Sequence, residues 1–483
     1  MGTFQERATM DLSPAANRLL PGEDLFNRNA PAGYWRIVAA SRWLPSLLVT
    51  ASCLAYFLYA SQRPTLPPII RGDGSGYHLW TRGLLTLDFR FCSWRQLVPD
   101  YVFAREDLGR GVCQIKYPPG VAFIQLPMVA IVLRHLRSAQ TITPTEHWAV
   151  LAVSSLLLIA ICMLITSTCE RLGLRRQAIV TSVLTFSFGT GLFLYATYWA
   201  SYSHIYAAFA FALLIWALAR LLVPAPGSRT AKQHQDCGKA ASADHKQTEA
   251  DWRVGLVTGV ASFLVVLTRN VNVLALALLL GAYAMACTRR SSWRRTAKDL
   301  LPALCGIAAG AALQLGYNWY AAGHFSFSSY GGERFQVAWS QPAEVALSYD
   351  RGLIPTYPVV ALAVLLGLLV RPTFRWAFGF LVLLSVYLFV YGFWHMPGLG
   401  WSFGPRGLVD FMPIGMLLFA AALSCAGRNA RKAATVAAFV CTFFTMELAA
   451  AHVRNRLAPE LITPGMYWDA VSGKGLFRHF PGK

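Results

Sequence analysis

Arg71-Gly72-Asp73-Gly74-Ser75-Gly76-Tyr77-His78 stands just beyond the first long apolar run of the chain. An acid set among three glycines occupies the place where a hydrophobic span gives way to water. Glycine permits tight turns and positive φ, so the pattern describes a backbone held close to something. An exposed loop carboxylate at a membrane mouth is a natural catalytic base or cation ligand. The octapeptide fits equally a polar turn that ends a helix, and the rest of the chain has to decide between the two.

Outward from this stretch the composition is that of a membrane protein: 55% apolar, 14% charged, with a mean hydropathy of +0.43. Apolar runs give eleven spans at about 42–60, 147–168, 177–198, 204–223, 253–269, 271–287, 300–320, 355–371, 376–395, 408–426 and 432–452. The expected fold is therefore an all-α integral membrane protein with about eleven transmembrane helices.

The net charge of +20 lies mostly between these runs, so it reads as a topology signal and as contacts to anionic headgroups. No basic helix or aromatic ribonucleoprotein-type motif supports a nucleic-acid partner. Residues 1–41 lack an early apolar region with a cleavage site, which predicts a cytoplasmic N-terminal segment and a first span retained as an anchor. Arg171, Arg175 and Arg176, the polar stretch 224–252, Arg289 to Lys298, Arg371 and Arg375, and Arg428 to Lys432 fall on one side; loops 199–203 and 396–407 fall on the other. This alternation places the N-terminus in the cytoplasm and residues 453–483 outside as a short tail. Residues 224–252 read as a flexible cytoplasmic linker.

Val121–Leu133 is too short to span, and as a span it would invert every later loop. It reads as a helix lying along the membrane surface within a long first external loop, about 61–146, of a transmembrane domain covering 42–452. Ten cysteines show no CxxC or metal-ligand spacing. Cys92 and Cys113 share that external loop, as a disulfide or as two free thiols.

Polar residues gather on the external side: Asp73, Tyr77, Lys116 and Tyr117 in the first loop, His204 at a span start, Arg269 in a span-to-span turn, then Glu333, Arg351 and Arg406. Each has a plainer reading. His204 fits a helix cap, Arg269 a snorkelling terminus, Lys116 a loop lysine, and Arg351 and Arg406 simple pairs with Asp350 and Asp410. Taken together, one acid with several cations and aromatic rings suits a transfer reaction. The acid would deprotonate an acceptor, cations would hold the phosphate of a lipid-linked donor as leaving group, and aromatic faces would hold a sugar. No Walker, GxSxG or HExxH motif is present. Charged residues deep in spans, which a lipid-linked sugar or polysaccharide transporter would need, are few; Glu447 is the clearest.

The order of these elements resembles the GT-C glycosyltransferases, a family that includes protein O-mannosyltransferases and lipid A aminoarabinose transferases. The resemblance rests on Asp73-Gly74-Ser75-Gly76-Tyr77, Lys116-Tyr117-Pro118-Pro119-Gly120, Tyr202-Ser203-His204, Arg269, Arg351-Gly352-Leu353 and Ser402-Phe403-Gly404-Pro405-Arg406. It implies Asp73 as catalytic acid or base, Lys116 on the donor phosphate, a polyprenyl-phosphate sugar as donor and inversion at the anomeric carbon. Ser203-His204 replaces the acid that many relatives carry at the fourth span, so no metal is indicated, although a divalent cation stays open. The expected setting is a bacterial inner membrane with an envelope acceptor (lipid, glycan or protein).

Overall fold

The computed structural model of the chain describes residues 43–63, 66–105, 111–132, 141–223, 240–288, 292–326, 329–330, 333–337, 340–349, 351–396, 402–454, 457 and 462–474. The N-terminal segment 1–41, residues 224–239 of the polar stretch, and Asp350 lie outside the described residues.

The described residues are helical almost throughout. The helices are α1 (Leu44–Ser61), α2 (Asp73–Thr86), α3 (Gly120–Val132), α4 (Pro144–Arg171), α5 (Arg176–Gly189), α6 (Leu192–Ala196), α7 (Ser203–Leu222), α8 (Ala240–Thr268) and α9 (Val273–Thr288). They continue with α10 (Trp293–Ala322), α11 (Ser340–Leu347), α12 (Leu353–Thr356), α13 (Pro358–Leu369), α14 (Phe374–Gly392), α15 (Met412–Cys425), α16 (Arg428–Val453) and α17 (Pro464–Asp469). A two-residue strand β2 (Gln114–Ile115) pairs antiparallel with β1 (Phe103–Arg105). Local chemistry sets several ends. Thr143 and Glu146 form a reciprocal capping box before α4, with Pro144 at its first position. Gly323 ends α10 in the left-handed conformation.

Eight helices among the described residues are long and apolar enough to cross a membrane, against the eleven spans expected. Two of the other three apolar runs differ for backbone reasons, and the third is a stretch within one continuous helix. The run 177–198 is broken between α5 and α6, where Thr190 is extended and Gly189 and Gly191 abut Thr442 and Tyr357. The run 355–371 yields only the 12 residues of α13, opened by Pro358 and stopped before Pro372. That is about 18 Å, short of a hydrocarbon core of about 30 Å. The run 253–269 is the apolar part of α8, Trp252–Thr268, in a helix that already begins at Ala240. Helix α3 has 13 residues, about 20 Å, and lies against α2 and α4 with Val121, Ala122, Gln125 and Val129 buried.

Candidate functional site

Asp73 is not on an exposed loop. It is the first residue of α2, and Gly74 to Gly83 behind it are buried. Gly72 turns the chain into the helix at φ +53°, and the Ser75 N–H and Oγ both donate to its carbonyl at 3.1 and 2.6 Å. The glycines serve close packing: a Cβ at Gly76 would lie 2.5 Å from the Tyr117 ring and 2.7 Å from Val102. Helix propensity argues against so many glycines here, and contact with neighbouring segments overrides it.

The Asp73 carboxylate accepts from two sides. The Tyr117 hydroxyl donates to Oδ1 at 2.8 Å, and Arg406 Nη2 donates to Oδ2 at 2.8 Å. The two charged side chains are 21% and 15% exposed, so the carboxylate is fixed yet reachable. Burial, with the Asp73 charge second, holds the Tyr117 phenol well above its ordinary range, and it therefore remains a donor. The Tyr77 ring lies 4.8 Å from that of Tyr117, Tyr330 meets Tyr117 edge-on at 6.3 Å, and Arg406 lies over Tyr202 at 5.4 Å.

A second cluster is built on Asp410, which is fully buried. It accepts from His204 Nδ1 at 2.9 Å, Arg269 Nη1 at 3.1 Å and Asn272 Nδ2 at 2.9 Å. Two plainer readings of the sequence are thereby corrected. His204 caps nothing, and Arg269 is an inward, paired cation rather than a snorkelling one. Arg406 pairs with Asp73, leaving Asp410 to Arg269. Arg269 also lies over the Tyr391 ring at 5.4 Å. Tyr330 stands within electrostatic reach of both Arg269 and Asp73, so the clusters are neighbours.

Lys116 forms an ion pair with Glu333, and its carbonyl accepts from Ser329 Oγ at 2.5 Å. Its segment is held by several ties. Cys92 and Cys113 are disulfide-bonded, the Lys116 N–H donates to Val102 at 3.0 Å, the Ile115 N–H to the Tyr317 hydroxyl at 2.9 Å, and Trp80 Nε1 to the Tyr117 carbonyl at 2.8 Å. Asp410 and Glu333 were visible in the sequence, but nothing local marked them as partners of Arg269 and Lys116. Arg351 sits before α12 with its backbone N–H on Ser348 Oγ. Among the described residues no group of three or more His, Cys, Asp or Glu is placed to hold a metal.

No protein-family model matches the chain, and no curated protein matches it in sequence. Two solved structures are similar to it. One is ArnT from Cupriavidus metallidurans in the apo state, at 12% identity and a TM-score of 0.46, covering 90% of this chain and 75% of that one. The other is the same protein bound to undecaprenyl phosphate, at 12% identity and a TM-score of 0.45, covering 92% and 75%.

Proposed function

We propose that this chain is a GT-C-type membrane glycosyltransferase. It moves a sugar from a polyprenyl-phosphate donor to an envelope acceptor on the external face of a bacterial inner membrane. The observation that carries the reading is the Asp73 carboxylate held between Tyr117 and Arg406, with Lys116 and Arg269 in adjoining ion pairs. A partly exposed base beside several cations suits transfer from a phosphate leaving group.

In this reaction Asp73 takes the proton of the acceptor O–H or N–H. The acceptor heteroatom bonds to the anomeric carbon from the face opposite the phosphate. The carbon–oxygen bond to phosphate breaks, and its electron pair leaves on the lipid phosphate, beside Lys116 and Arg406. Tyr77, Tyr117 and His204 shape the sugar site, and Arg351 is an outer donor-phosphate candidate. While Arg406 is paired with Asp73, one of the two carboxylate oxygens is already occupied. A donor phosphate that draws Arg406 away frees Asp73 as the sugar arrives.

The test is sugar transfer in membranes supplied with labelled polyprenyl-phosphate sugars, wild type against Asp73→Asn. Transfer by the wild type that falls ~100- to 10,000-fold in the variant, at equal protein level, is expected. Equal transfer by both removes Asp73 from the chemistry, and no transfer by the wild type with any donor removes the enzyme reading.

A further inference from the structure

Glu146, in the first turn of α4, is fully buried and takes no part in the clusters above. Its carboxylate accepts five hydrogen bonds. Oε1 takes His78 Nε2 at 2.9 Å and Arg82 Nε at 2.8 Å; Oε2 takes Arg82 Nη2 at 2.8 Å, the Thr143 N–H at 2.6 Å and Thr143 Oγ1 at 3.0 Å. Arg82 Nη2 also donates to the Thr141 carbonyl at 2.7 Å. His78 and Arg82 both belong to α2, the helix that Asp73 opens. Its next residue in α4, His147, accepts the Ile70 N–H on Nδ1 at 3.0 Å, so the chain is gripped on both sides of Asp73.

The helical angles make this arrangement directional. At about 100° per residue, His78 lies about 140° around α2 from Asp73, and Arg82 about 180°. The grip is therefore on the back of the helix, while Asp73 looks toward Tyr117 and Arg406. Buried ionic networks seldom add stability over apolar packing of the same volume, and their best-attested use is to fix one geometry. One arginine and one carboxylate balance in charge, and His78 Nε2 adds a further donor from α2.

We infer that the first turn of α4 is a clamp that sets the rotation of α2, with Glu146 as a positioning residue for Asp73. The inference rests on the proposed function for its kinetic consequence alone. Replacing Glu146 lets α2 turn about its axis, and a base displaced by about 1 Å loses about 100-fold in rate. Transfer by Glu146→Gln falls about 10- to 100-fold in kcat. KM for the donor stays within about twofold, since no donor contact is removed.

The decisive variant is Glu146→Leu with Arg82→Met, which replaces the charge pair by apolar volume and leaves no buried charge unpaired. Wild type and variant are compared in nanodiscs by thermal unfolding, hydrogen exchange of residues 70–82 and transfer kinetics. The expected result is an unchanged melting midpoint, exchange in 70–82 faster by about tenfold or more, and reduced kcat. Unchanged exchange overturns the inference, and so does faster exchange with wild-type turnover. Should the double variant not accumulate, Glu146→Gln is read on exchange and kcat alone, because it leaves Arg82 buried without its countercharge and lowers the midpoint. If the wild type itself transfers no sugar, the proposed function has failed, and the exchange rates alone still decide whether the clamp holds the helix.

Discussion

Replacing Glu333 by Gln should make the protein bind its donor more tightly. On the proposed function Lys116 meets the donor phosphate, yet Glu333 already occupies it. The two side chains are 12% and 25% exposed, so their pair falls between a solvated ion pair and a fully buried one. Exposed pairs are worth up to about 1 kcal/mol, and breaking a buried pair costs about 3–5 kcal/mol. A net value of about 1–2 kcal/mol for this pair is reasonable on that scale. A donor phosphate must displace Glu333 and forfeit that amount. Glu333→Gln keeps the shape and removes the competing charge, so donor affinity should rise by about 5- to 30-fold. Because ground and transition states gain alike, KM should fall while kcat holds. The measurements are transfer kinetics at varied donor and direct binding of polyprenyl phosphate in nanodiscs. The gain should vanish in a Lys116→Met background, since the two residues then have nothing left to share. An unchanged or raised KM in Glu333→Gln would refute the reasoning and make the carboxylate a supporting group of the donor site.

Three further outcomes are expected. Asp410→Asn leaves Arg269 buried without its countercharge, at a cost of about 3–5 kcal/mol, read as a lowered melting midpoint in detergent and lost transfer. Cys92→Ser with Cys113→Ser opens a loop of sequence separation 21, which on chain entropy removes about 3 kcal/mol; the loss should also loosen Lys116 and Tyr117, read as a raised donor KM. Tyr117 has a raised folded-state pKa, so its contribution to stability is complete below the ordinary phenol value of about 10 and is lost as pH rises beyond it. Above that pH the unfolded state has shed a proton that the folded state keeps. Thermal unfolding between about pH 10 and 11 should therefore show a shallower decline in Tyr117→Phe than in the wild type, by at most about 1.4 kcal/mol per pH unit.

Hydropathy located the helices because a membrane span is a local property of about twenty residues. It was blind to where the backbone breaks. Nothing in an apolar average separates α5 from α6 at Thr190, or shortens α13 to the 12 residues between Pro358 and Leu369. The loop reading of Asp73 failed for a related reason. Four residues from Gly72 to Ser75 predict a turn on propensity, whereas α2 forms because its glycines let Tyr117 and Ser201 approach the helix closely. The residue types of the site were legible, since an acid and several cations on one side of a membrane protein are costly and few. Their pairing was not. Lys116 and Glu333 are 217 residues apart and His204 and Asp410 are 206 apart, with no sequence signal to join them.

The pairing itself carries a mechanistic consequence. Asp73 holds Arg406, Asp410 holds Arg269, and Glu333 holds Lys116, so the three cations of the site stand neutralised by three carboxylates. An anionic donor gains little from cations already satisfied, unless it replaces one of those carboxylates. Displacing Asp410 exposes a buried charge and is the costliest exchange. Displacing Glu333, on a partly exposed loop, costs least and gives the donor its entry. Displacing Asp73 from Arg406 costs more, since Tyr117 also holds that carboxylate, but it is the one exchange that frees an oxygen of the proposed base. On the proposed function, such a site keeps Asp73 engaged with Arg406 until a phosphate arrives. Donor binding should therefore precede productive acceptor binding, and a soluble nucleophile such as water meets a carboxylate still held by Arg406 in the donor-free site. Initial-rate kinetics with both substrates varied read this directly: an ordered pattern with donor first is expected, and acceptor binding first at full affinity would contradict it.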